Sequence, residues 1–177
     1  MNNEAIIRLL DDRDHVRLRK NMYIPNIDYS IYEVLDNAVD QFMAGYGTEI
    51  DVLIEEDGSA MIADRGQGLP IAESQDIPGM SQAELALSRL KAGGKFDDNG
   101  VKSAGLHGLG SSAINFLSEY FSARIAKNKK LYGLDFIQGI ITDDHLYELE
   151  WTDEYPENGT IIFLKPDSEI WTNEEDG

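Results

Sequence analysis

Residues 31–70 read IYEVLDNAVDQFMAGYGTEIDVLIEEDGSAMIADRGQGLP, and the hydrophobic period changes within this stretch. Ile31, Val34, Leu35, Ala38 and Phe42 recur at helical spacing, which predicts a helix with one buried stripe, stopped by Gly45 and Gly47. From Glu49 to Glu56 the pattern shifts to alternation through Ile50, Val52 and Ile54, the period of a half-buried strand. Asp57-Gly58 is a hairpin signal, and Ser59 to Asp64 returns as the paired strand. Asp64-Arg65-Gly66-Gln67-Gly68-Leu69-Pro70 then leaves the strand through glycines. A helix followed by an antiparallel hairpin points to an α+β fold rather than to βαβ units.

The flanks extend this reading. Residues 4–20 read as a short helix or arm, and Asn26 to Ser30 as a turn-like break. Ser81 to Leu90 reads as a helix with Ser81 as N-cap and Glu84 closing a capping box. Residues 91–110 carry too many glycines for an element and read as a mobile loop. A helix from Ser111 to Tyr120 and strands near 121–127, 131–137, 140–151 and 160–164 complete the order. The architecture expected is a two-layer α+β sandwich, helices on a mostly antiparallel sheet, in one domain over residues 1–177.

Composition sets the outer limits. The chain has 177 residues, no cysteine, and 33 acidic against 15 basic residues, a net charge of −18. Without cysteine there is no disulfide frame, thiol nucleophile or thiolate metal site. The acidic balance repels nucleic-acid phosphate, so this chain alone binds DNA weakly if at all. There is no apolar run of membrane-spanning length and no signal-like leader, which gives a cytoplasmic expectation. Thirteen of the 15 basic residues fall in three clusters, near 8–20, 89–102 and 124–130. The second cluster lies among glycines.

Three groups of residues are candidates for chemistry. Glu33, Asn37 and Gln41 fall at i, i+4 and i+8, one polar file on the first helix. A carboxylate one turn before an amide can hold a water with one group and a metal ion with the other. Ser30-Ile31-Tyr32-Glu33 also fits a capping box, in which Glu33 would only satisfy its own helix terminus. Asp64, at a strand end beside Gly66 and Gly68, suits an acceptor for a ligand amino group or an ordinary turn. Gly105-Leu106-His107-Gly108-Leu109-Gly110, between the lysines and a helix, offers unobstructed N–H groups for phosphate or serves as a flexible connector. His107 has no second histidine at ligand spacing, so a zinc site is rejected, and there is no Walker phosphate loop.

Taken in order, Glu33-x-x-Asp36-Asn37-Ala38-x-Asp40, Asp64-x-Gly66-x-Gly68, Ala92-Gly93-Gly94-Lys95-Phe96-Asp97, Gly105-Leu106-His107-Gly108-x-Gly110 and Asn158-Gly159-Thr160 resemble the GHKL ATPase superfamily. Within it the match is similar to the ATPase domain of the DNA gyrase B and topoisomerase IV B proteins, from about Ile6 to Trp171. The resemblance implies helices on an eight-stranded mixed sheet, the Bergerat arrangement, with Mg-ATP as ligand. It implies Glu33 as the general base, Asn37 as the magnesium ligand, and Asp64 as the acceptor of the adenine amino group, with Thr160 supporting it through a water. Gly66, Gly68 and Pro70 would line the base. Residues 93–110 would form an ATP lid, with Lys95, Lys102, Leu106, His107, Gly108, Leu109 and Gly110 around the phosphates. The implied role is ATP-driven closure of a dimer gate for DNA strand passage, with a second copy of the same protein and a separate DNA-cleaving protein as partners. The rival is a GHKL module that binds nucleotide or a partner without turnover.

The chain also departs from the family pattern. Tyr29 stands where the family has a histidine before the catalytic helix. Gln41 and Gln67 replace a Glu–Arg pair at the pocket mouth and are expected to meet as an amide pair. Lys127 takes the place of an arginine. The second, transducer domain of the family is absent from these 177 residues.

Overall fold

The computed structural model describes residues 10–90, 110–142 and 145–172. Its helices are α1 (Asp12–Leu18), α2 (Ile27–Met43), α3 (Gln82–Ser88) and α4 (Gly110–Phe116), with a short 3-10 turn at Lys20–Met22. Its strands are β1 (Ile50–Ile54), β2 (Ala60–Asp64), β3 (Ser118–Lys127), β4 (Lys130–Ile137), β5 (Ile140–Ile141), β6 (Tyr147–Leu149) and β7 (Gly159–Pro166).

The strands form one sheet in the order β1-β2-β7-β3-β4-β5, and β6 also pairs with β4. Every pairing among the described residues is antiparallel. The α+β sandwich is therefore as expected; the described residues give seven strands rather than eight, all of them paired antiparallel. The predicted strand 140–151 is two pieces, β5 and β6, which use opposite ends of the β4 edge.

Register assigns the two faces. Ile62 lies beside Ile162, Ile162 beside Ala123, and Ala123 beside Leu134, all buried in one row. The flanking row runs Ala60, Leu164, Phe121 and Phe136. These side chains form a common core with Ile31, Val34 and Ala38 of α2 and with Ala113, Ile114 and Phe116 of α4. The other face carries Met61, Phe163 and a polar knot in which Tyr120, Arg124 and Tyr147 all donate to Asp135.

Local chemistry explains where the elements start and stop. Asn26 is the N-cap of α2 and accepts from the Tyr29 amide at 2.8 Å, so the helix begins four residues before Ile31 and absorbs most of the predicted break. Of the predicted stripe, Ile31, Val34 and Ala38 are buried, whereas Phe42, in the last turn of α2, is 52% exposed. At the hairpin, Asp57 accepts from the Ser59 amide and Gly58 takes φ +79°. The helix expected over 111–120 ends at Phe116. The Leu117 carbonyl is taken by the Asp167 amide and the Trp171 indole, and Ser118 donates to the Ile114 carbonyl. In α3, Ser81 caps the Glu84 amide, but the Glu84 carboxylate turns to His145 instead of back to the cap. Of the N-terminal arm, α1 is described. It is pinned by Arg17, which donates to the Asp167 carboxylate at 2.7 Å and to the Phe116 carbonyl. No helix among the described residues is long and apolar enough to cross a membrane.

Candidate functional site

Helix α2 brings the first two members of the polar file, Glu33 and Asn37, to α4. With Asn26 as N-cap, Glu33 lies in the second turn, so the alternative in which it caps its own helix from Ser30 does not hold. Its carboxylate lies against Gly110, the first residue of α4. A β-carbon there would overlap the Glu33 carboxylate group. One turn further, Asn37 donates through Nδ2 to the Glu33 carbonyl at 2.9 Å and to Ser111 Oγ at 3.2 Å. The amide nitrogen is thereby anchored, and Oδ1 is held as an acceptor with no hydrogen-bond partner among the described residues. Ser111 is not legible as part of this arrangement from residue type; its position directly after Gly110 is the available signal.

Asp64 ends β2 and is 8% exposed. Its Oδ1 accepts from the Gly66 amide at 2.7 Å and from the Thr160 amide at 3.3 Å. Burial pushes the carboxyl above the usual aspartate range, and the two amide contacts oppose that rise without cancelling it. Oδ2 has no hydrogen-bond partner among the described residues. Thr160 thus touches Asp64 directly through its backbone, while its hydroxyl accepts from the Leu69 amide at 3.0 Å.

The glycine loop packs on the ends of β3 and β7. Gly68 has φ +72°, and a β-carbon on it would come within 2.9 Å of the Ala126 and Gly159 carbonyl oxygens. Gly66 is buried beneath the loop, and Pro70 is exposed at its exit. The expected amide pair between Gln41 and Gln67 is instead a contact from side chain to backbone. Gln41 Oε1 accepts from the Gln67 amide at 3.3 Å, and the Gln67 side chain is exposed. Lys127 is turned into this loop, donating to the Gln67 and Gly68 carbonyls. Tyr29 is 42% exposed in the first turn of α2.

The structure therefore brings Glu33, Asn37, Gly110 and Ser111 together, and brings Asp64, Gly66, Gly68, Thr160, Gln41 and Lys127 together. Lys95, Lys102, Leu106, His107, Gly108 and Leu109, and all of the expected lid except Gly110, lie outside the described residues. No group of three or more His, Asp or Glu side chains able to hold a metal ion occurs among the described residues.

No protein-family model matches the chain. Curated proteins do. The gyrase B protein of Myxococcus xanthus is 39% identical over 170 residues, which cover 93% of this chain and 20% of that protein. The DNA topoisomerase 4 B protein of Mycoplasma capricolum is 39% identical over 177 residues, 97% of this chain and 27% of that protein. This chain is a homologue of the gyrase B and topoisomerase IV B proteins. Its fold is that of their ATPase domain. The crystal structure of the 43K ATPase domain of Thermus thermophilus gyrase B, in complex with an aminocoumarin, superposes with a TM-score of 0.74 at 31% identity, covering 95% of this chain and 42% of that one. The chain spans 20% and 27% of the length of the two full proteins named here.

Proposed function

We propose that the chain binds Mg-ATP between α2, the 64–70 loop and α4, and hydrolyses it as the ATPase module of a type IIA DNA topoisomerase. The observation that carries this reading is the meeting of two α2 side chains with the start of α4: Glu33 lies against Gly110, where a missing side chain leaves room for its carboxylate, and Asn37 bonds Ser111. Glu33 acts as general base, taking a proton from the water that attacks the terminal phosphate. Such a base contributes about 10²–10⁴ in rate. Asp64 accepts the adenine amino group through Oδ2, because Oδ1 is already engaged by Gly66 and Thr160. Gly66 and Gly68 let backbone pass close to the base, and Pro70 lines it at the exit of the loop. Lys95, Lys102, Leu106, His107, Gly108 and Leu109, with Gly110, close around the phosphates.

The donor set fits magnesium. Mg²⁺ prefers oxygen ligands, keeps several waters, and is held by one or two protein groups together with substrate phosphates. Asn37 Oδ1, left as an acceptor by the anchoring of Nδ2, would be such a ligand. When bound, the ion neutralises charge on the triphosphate oxygens.

In the complete enzyme, ATP binding would close a gate between two copies of the protein around a DNA segment, with a separate DNA-cleaving partner. The test is a steady-state ATPase assay on the full-length gene product, with and without DNA. Magnesium-dependent turnover that rises with DNA supports the proposal. Tight nucleotide binding without turnover would assign the chain instead to a non-catalytic GHKL module.

A further inference from the structure

The backbone of the loop after Asp64 is held almost group by group. The Gly66 amide donates to Asp64 Oδ1, the Gln67 amide to Gln41 Oε1, and the Leu69 amide to Thr160 Oγ1. Two consecutive carbonyls, of Gln67 and Gly68, point at one atom, Lys127 Nζ, at 2.5 and 2.8 Å. Adjacent carbonyl dipoles converging on one point repel unless a cation sits there, so this loop shape depends on a positive group. Lys127 supplies it from the last position of β3. Partial burial pushes its ammonium below the usual lysine range, as expected for a charge drawn off the surface to serve the backbone.

The held groups lie on consecutive peptides of one short loop. Lys127 holds the Gln67 and Gly68 carbonyls, Gln41 holds the Gln67 amide before them, and the Gly66 amide, one peptide earlier, donates to the Asp64 carboxylate at 2.7 Å. We infer that Lys127 is a positioning residue for the base pocket: it acts through the glycine loop to aim Asp64 Oδ2 at the ligand, and it is not a stacking platform at the pocket mouth. The inference rests on the proposed role of Asp64. An arginine could span both carbonyls with its fork, whereas a methionine keeps the stem and loses the charge.

The experiment compares native protein, Lys127→Met, Lys127→Arg and Asp64→Asn, measuring ADP affinity by calorimetry and amide hydrogen exchange at Gly66 and Leu69. Loss of a charged hydrogen-bonding group should weaken ADP binding by about tenfold in Lys127→Met and speed exchange at both amides. Lys127→Arg should restore both, and in Lys127→Met kcat at saturating ATP should stay close to native while KM rises. Native affinity in Lys127→Met overturns the positioning role, provided Asp64→Asn weakens ADP binding. If Asp64→Asn leaves affinity unchanged, the assignment of Asp64 fails separately, and native exchange rates in Lys127→Met would then overturn the clamp itself. Should Lys127→Met fail to fold, Lys127→Gln carries the same two readouts.

Discussion

Replacing Asp64 by asparagine separates binding from stability, because the structure asks the two oxygens of this carboxylate to do different work. Oδ1 accepts from the Gly66 and Thr160 amides, and an asparagine oxygen can keep both contacts. The second position becomes an NH₂ group. On the proposed reading it then faces the adenine amino group, donor against donor. A hydrogen bond to a charged group is worth about 1.5–3 kcal/mol, so ATP affinity should fall by about ten- to a hundredfold. Discrimination against GTP should shrink at the same time, since the guanine oxygen meets a donor instead of a carboxylate. Stability should move the other way. Burial raises the Asp64 carboxyl above its unfolded value, so the native state holds the proton more tightly than the unfolded chain does. The stabilisation linked to that proton is present below the unfolded value of about 3.9 and is lost as pH rises through the folded one. At neutral pH the native protein therefore carries the cost of a buried charge, which asparagine removes. Calorimetry with a non-hydrolysable ATP analogue and thermal unfolding between about pH 4 and 8 test both halves. Asp64→Asn should melt higher at neutral pH, with the gain fading toward acid. Undiminished ATP affinity would rule out Oδ2 as the adenine acceptor, and a lower Tm at neutral pH would rule out a buried-charge cost at Asp64.

Three further perturbations follow from particular contacts. Gly110→Ala puts a β-carbon on the Glu33 carboxylate and should cut ATP turnover by about tenfold or more while altering nucleotide affinity less, as read by kcat against Kd. Arg17→Ala leaves Asp167, 2% exposed, without its cation, and should cost about 3 kcal/mol in chemical denaturation. Burial raises the Asp167 carboxyl, but the Arg17 contact and its neighbours outweigh burial and hold it below the aspartate range. The stability it contributes is therefore present above about 3.9 and lost as pH falls through the folded value, a loss that Arg17→Ala should blunt. Tyr147, through burial and its donation to Asp135, is pushed up to about 12, so spectrophotometric titration should show one tyrosine ionising late, and Tyr147→Phe should remove that step at a cost of about 1 kcal/mol.

Helix α2 and the β1–β2 hairpin are legible in the sequence because each carries its own local signal: a 3.6-residue stripe, a two-residue alternation and an Asp-Gly turn. What escapes depends on partners distant in sequence. The end of α4 is set by Asp167 and Trp171 drawing on the Leu117 carbonyl, which nothing near residue 117 announces. The N-terminus of α2 is misread from sequence because Ser30 offers a competing cap, whereas Asn26 is the residue that accepts an amide. For Asp64 and Glu33, residue type and spacing name the candidates. That Glu33 meets Gly110, and that Asp64 is gripped by Thr160 from 96 positions away, comes only with the fold. Lys127 is legible as a departure from a family pattern, but its engagement with two loop carbonyls is not.

The proposed function stands on Glu33 being a base rather than a structural carboxylate. Single-turnover hydrolysis of Mg-ATP by the full-length gene product, native against Glu33→Gln, tests it most directly when nucleotide affinity is measured on the same samples. If Glu33 is the base, the rate falls by about 10²–10⁴ with affinity changed only a few-fold, because a general base acts chiefly in the transition state. A Glu33→Gln rate within about threefold of native, at equal nucleotide occupancy, would contradict it.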